Sequence, residues 1–88
     1  MSLKYQRIQC GKSLAQVASE SGITKQYYGV IEKQNRIAMT NEFTAREIAK
    51  SLGVNLFSIC DENILKFKPK TAEDKAYLLA MIEKLGVD

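Results

Sequence analysis

Apolar positions in the first two thirds of this chain recur at helical spacing, most clearly from Ser13 to Lys33. Leu14, Val17 and Ala18 fall at i, i+3 and i+4, with Ala15, Gln16, Ser19 and Glu20 facing elsewhere, which predicts a short helix with one buried face. Ser13 can cap its N-terminus, and Gln16, three places on, can reach back to complete a capping box. Gly22 ends it, since glycine takes the left-handed conformation without steric penalty. After the apolar Ile23, Thr24 can cap a second helix in which Tyr28 and Ile31 share the inner face. The Tyr28 hydroxyl is expected at the rim of the core. Lys25, Gln26, Tyr27, Gly29 and Val30 fall on flanks or outside, so the outer surface offers a cation, an amide, a phenol and small groups, with no acid before Glu32.

The flanking pattern supplies more helices. Residues 3–10 read as a first helix, with Leu3, Arg7 and Cys10 on one face or Tyr5 and Ile8 on a neighbouring one. A fourth helix is expected from Thr40 or Asn41, burying Ala45, Ile48, Ala49 and Leu52 and ending at Gly53. Val54 packs at the turn, and Asn55 can cap a short helix completed by Leu56, Ile59 and Cys60. The expected core is Val17, Ala18, Ile23, Tyr28, Ile31, Ile48, Leu52, Val54, Leu56 and Ile59. Residues 64–68, ILKFK, read either as a short extended segment, with Leu65 and Phe67 opposite Lys66 and Lys68, or as a plain linker. Pro69 forbids a continuous helix, and Thr71 with Asp74 resembles a weaker capping pair. A last helix is expected from about Ala72 to Leu85, stopping at Gly86.

Eighty-eight residues make one small domain with a modest core. No apolar run approaches the roughly 18–20 residues that cross a bilayer, so no membrane partner is expected, and with no secretory signal visible a cytoplasmic location is the default. Cys10 and Cys60 are too few for a disulfide framework and read as free buried or half-buried thiols. The net charge of +3 is unevenly spread: eight Lys/Arg face four Asp/Glu through residue 60, and five face six beyond it. Lys4, Arg7, Lys12, Lys25, Lys33 and Arg36 would suit a polyanion, because a cation near a phosphate releases counterions; on charge alone a plain solvated surface accounts for them slightly better. Without histidine, metal-ligand spacing or a phosphate-cradling glycine loop, neither an enzyme nor a cofactor is indicated.

The run SLAQVASESGITKQYYGVIEK resembles the helix-turn-helix of the phage-repressor-like (Cro/cI, XRE) family of DNA-binding domains. The resemblance rests on Ala18, the Gly22 turn, Ile23 after it, and the Ile31-Glu32 pair closing the second helix. TAREIAKSLGVNLFSI, residues 44–59, is similar to that family's fourth and fifth helices. There are departures: the family usually has an apolar residue at Lys12, an aliphatic one at Tyr28 and glycine at Gln34, and the connection from Glu32 to Ile48 is longer than usual. The path of the loop Asn35 to Glu42 is therefore open. The resemblance implies an all-α fold, a five-helix lambda-repressor-like helix-turn-helix domain over residues 1–61, followed by a linker and C-terminal helix over 62–88.

It also implies a partner, double-stranded DNA, and roles. A recognition helix reads base edges with side chains near its N-terminus, which points to Lys25, Gln26 and Tyr27, with Gly29 and Val30 a turn later. Phosphate contacts would come from Ser13 and Thr24 at helix starts, and from Lys33, Asn35 and Arg36 after the recognition helix. Capping alone explains Ser13 and Thr24. The family further implies an ion pair between Glu32 and Arg7.

From Ala76 to Ile82 seven successive residues are apolar or aromatic, more than one neighbour can cover. A lone helix of this length is marginal in water. Either it folds back on its own domain, or Leu78, Met81, Ile82 and Leu85 form a homodimer interface that would set two recognition helices on a palindromic site. The expected function is a dimeric DNA-binding transcriptional regulator, a repressor; the competing one is an antitoxin-like or adaptor module whose last helix binds another protein, and a regulator protein could also bind a repressor.

Overall fold

The computed structural model describes residues 2–59 and 66–85, the Leu85 side chain excepted. Cys60, Ile64, Leu65, the 61/62 boundary, Gly86 and the Leu85 side chain, all used in the expectations above, lie outside the described set. Five α-helices and two 3-10 turns are described: α1 (Leu3–Gln9), α2 (Leu14–Ser21), α3 (Lys25–Gln34), a turn at Ile37–Met39, α4 (Glu42–Leu52), a turn at Leu56–Ser58, and α5 (Ala72–Leu85). The fold is all-α, with no strand among the described residues.

Most boundaries follow from a side chain reaching three residues forward. Ser13 Oγ accepts from the Gln16 N–H at 3.1 Å, Thr24 Oγ1 from Tyr27 at 3.0 Å, Asn41 Oδ1 from Thr44 at 2.7 Å and Thr71 Oγ1 from Asp74 at 3.0 Å. The expected capping box is only half made, because the Gln16 amide donates to Glu20 Oε2 at 3.1 Å instead of turning back. A carboxylate is the stronger acceptor. Gly22 ends α2 at φ 73°, and the Ile23 N–H then closes onto the Ala18 carbonyl at 3.0 Å, setting the sharp turn into α3. The short helix expected after Asn55 is a single 3-10 turn, with Asn55 Oδ1 accepting from the Phe57 N–H at 2.9 Å.

The core gathers Leu3 of α1, Val17 and Ala18 of α2, Tyr28 and Ile31 of α3, and Ala45, Ile48, Ala49 and Leu52 of α4. Leu56, Phe57 and Ile59 close its base. Ile23 and Val54, expected inside, are half-buried at the two turns. Three contributors lie outside the expected core: Ile37 and Ala38 in the connection after α3, where no period marks them, and Phe67 ahead of α5, which the sequence set on one side of an extended segment or in a plain linker. Burying Ile37 and Phe67 is worth about 1.5–3 kcal/mol each, which anchors the long connection after α3 through Ile37 and the approach to α5 through Phe67. On α1 the structure selects Leu3 and Arg7 as the inner face and leaves Tyr5 and Ile8 outside. Cys10, expected buried or half-buried, is exposed, because it follows the last turn of α1.

Helix α5 folds back. Leu78 and Met81, expected either to fold back or to lie at a subunit interface, are half-buried against the chain's own core. They share a helical face with Asp74, which is itself 3% exposed. The Asp74 carboxylate accepts from Asn55 Nδ2 at 2.8 Å, from the Lys70 N–H at 2.9 Å and from Arg46 Nη1 at 3.1 Å. Tyr77 and Leu79 remain exposed, Leu79 at 61%.

Candidate nucleic-acid interface

Turning the α3 sequence at 100° per residue puts Gln26, Gly29, Val30 and Lys33 on one outward face, at i, i+3, i+4 and i+7. Lys25 sits at one edge of that face. Tyr27 lies on the opposite flank, beside the buried Ile31, and is 39% exposed. Lys25, Gln26 and Lys33 are exposed, and Val30 is 44% exposed. Five of the expected residues are therefore brought together, and Tyr27 stands apart. A methyl group at Gly29 would meet nothing within 4 Å, so glycine is not needed for packing within the fold.

The inner side of α3 is fastened to α1. Arg7 Nε donates to Glu32 Oε2 at 2.9 Å and Nη2 to Glu32 Oε1 at 3.0 Å, a two-pronged pair whose side chains are 13% and 7% exposed. Arg7 Nη1 also donates to the Lys12 carbonyl at 2.9 Å. This pair, implied by the family resemblance, fixes the angle at which α3 is presented. Tyr28 packs under it, fully buried, and its hydroxyl has no hydrogen-bond partner. The hydroxyl is thus not at the rim as expected: α1 covers it. Burial, reinforced by the Glu32 charge, pushes its pKa up.

Asn35 takes the left-handed conformation at φ 53° and ends α3, one position after the glycine usual in the family. Its Oδ1 accepts from the Leu3 N–H at 2.9 Å, so one residue both closes α3 and satisfies the start of α1. That acceptor is therefore committed inside the fold. Ser13, Thr24, Lys33, Asn35 and Arg36 are all exposed. Lys33, Asn35, Gly29 and Glu32 also line an open cleft of about 500 Å³ shared with Ser2, Lys4, Arg7 and Leu14. Lys4 adds a cation there.

Lys12 behaves differently from the other cations. Its Nζ donates to Glu20 Oε1 at 2.7 Å and to the Ser51 carbonyl at 2.6 Å. It ties the α1–α2 turn to the end of α4 and is committed inside the fold, not offered to a polyanion. Glu20 also accepts from Ser51 Oγ at 2.7 Å; the Lys12 hydrogen bond first, then those from Ser51 and Gln16, hold its pKa at about 2. An apolar side chain at position 12 would leave Glu20 without that cation.

A capped pair of helices joined by a left-handed glycine, the second helix presenting an outward face free of unpaired acids, defines a DNA-binding helix-turn-helix domain of the regulator type. The family model described as helix-turn-helix matches residues 3–59, and the chain belongs to that Cro/cI-type family. No curated protein and no solved structure matches it. Among the described residues no helix is long and apolar enough to cross a membrane.

Proposed function

We propose that this protein is a sequence-specific transcriptional regulator, a cytoplasmic repressor, which binds a palindromic operator as a homodimer. The observation that carries the reading is the acid-free outward face of α3. Gln26 is suited to adenine N6 and N7, Lys25 and Lys33 to guanine or phosphate, and Val30 to a thymine methyl; Gly29 allows the backbone close approach. Tyr27 reaches a base or phosphate only from the flank. The Ser13 and Thr24 hydroxyls accept from their own helices and keep their hydrogens for phosphate oxygens. Lys33 and Arg36, joined by Lys4, hold the backbone, and Asn35 contributes through its amide nitrogen. Since Leu78 and Met81 turn inward, the dimer contact proposed here uses Leu79, Ile82 and the edge of Tyr77, with the 62–88 segment as the dimerisation element.

The test is selection of duplexes from a random library at near-physiological salt. An inverted repeat with half-sites about one helical turn apart is the expected result. On that site Gln26→Ala should cost on the order of 1–3 kcal/mol and relax one base position. Recovery of no motif would overturn the reading.

A further inference from the structure

Ahead of α5 the chain reads Lys66-Phe67-Lys68-Pro69-Lys70. Phe67 is buried and Pro69 half-buried, while all three lysines are exposed, so the segment alternates core anchor and cation. It is held by its backbone. The Lys68 N–H donates to Glu42 Oε1 at 3.0 Å, Arg46 Nη2 donates to the Lys68 carbonyl at 2.9 Å, and the Lys70 N–H donates to Asp74. None of these bonds uses a lysine side chain. Lys66 Nζ stands over the Phe67 ring at 5.2 Å, and Lys70 Nζ is 3.8 Å from Glu42 Oε2, a loose and solvent-screened pair. The cations are thus carried on an edge whose backbone is pinned at Lys68 and Lys70, and they are only weakly neutralised.

The edge docks on the first turn of α4, which directly follows the connection leaving the recognition helix. Lys33 and Arg36 lie at the start of that connection, and Glu42, where Lys68 is pinned, just past its end. We infer that Lys66, Lys68 and Lys70 form a second phosphate-binding edge, gripping the backbone of the same duplex beside the base pairs that α3 reads. The inference rests on the DNA-binding reading above. Composition favours DNA over a protein partner: lysine is depleted in protein interfaces, which centre on aromatic anchors. Here the aromatic ring is buried. The exposed Phe43 lies on the first turn of α4, three residues before Arg46, and the polyglutamate comparison below covers the case in which it joins the lysines in holding a protein.

The experiment compares the full chain with Lys66→Gln/Lys68→Gln/Lys70→Gln and with Lys33→Ala, measuring affinity against salt on the selected duplex and an unrelated one. Each lost phosphate contact should flatten the log K versus log salt slope by about 0.9, hence about 2–3 for the triple variant. The loss should be alike on both duplexes, base preference unchanged, and the hydroxyl-radical footprint shorter at its edges. Because the glutamines keep the pinned backbone, an unchanged thermal melt is expected. A triple variant with wild-type slope and footprint, while Lys33→Ala flattens the slope, would overturn this edge and leave the α3 reading standing. If that variant instead loses affinity for polyglutamate, the edge belongs to an acidic protein. A wild-type chain that binds no duplex would overturn the DNA reading and this inference together.

Discussion

Replacing Asp74 by Asn should loosen α5 and cost about 2 kcal/mol of stability at neutral pH. Burial alone would raise the pKa of this carboxyl, but the Lys70 N–H, the Asn55 amide and the Arg46 guanidinium together hold it at about 2, against 3.8 for an unperturbed group. A drop of that size corresponds to roughly 2–2.5 kcal/mol favouring the folded chain. Because the folded pKa lies below the unfolded one, this contribution is complete above about pH 4 and is lost as pH falls toward 2. Asn keeps the shape but carries no charge, and its amide nitrogen faces groups that are themselves donors. Urea unfolding followed by far-UV circular dichroism, repeated from pH 7 to pH 2, measures both effects. The gap between wild type and Asp74→Asn should be about 2 kcal/mol at pH 7 and close as the pH approaches 2. Glu20 also titrates near pH 2, but in both proteins, so the difference isolates Asp74. A gap under about 0.5 kcal/mol at pH 7, or one that stays constant down to pH 2, would refute the reasoning.

Gly29→Ala places a methyl in open space within a helix and should stabilise the fold by about 0.5–1 kcal/mol in thermal unfolding. If the α3 backbone lies close to the duplex there, the same variant binds the selected site more weakly, and an affinity equal to wild type would exclude that approach. Tyr28→Phe removes a buried hydroxyl with no partner and should leave stability unchanged or raise it by up to about 1 kcal/mol. A loss above about 1 kcal/mol in urea titration would mean that the hydroxyl is bonded after all.

The helix starts were legible because each is a local event: Ser13, Thr24, Asn41 and Thr71 all bond three residues forward, within reach of any spacing argument. The α2–α3 turn was legible for the same reason, through Gly22 and Ile23. The outward face of α3 could be read from periodicity, apart from Tyr27, whose flank position separates it from Gln26. What could not be read depends on partners distant in sequence. Lys12 looked like a surface cation until the Ser51 carbonyl, 39 positions on, met it. Asp74 looked like half of a cap, yet two of its donors lie 19 and 28 positions away. Ile37 and Ala38 sit in a single turn too short to show a period, and the alternation that set Phe67 opposite its lysines left a plain linker equally open, so only the shape of the finished core reveals that all three fill it.

The double use of Asn35 orders events during synthesis. Helix α1 leaves the ribosome before α3, but its Leu3 N–H waits for an acceptor 32 residues later, and Arg7 waits for Glu32, 25 residues later. Seven residues alone do not hold a helix in water. Residues 3–9 therefore emerge unformed, and they acquire their helix only when the recognition helix behind them has been completed and closed.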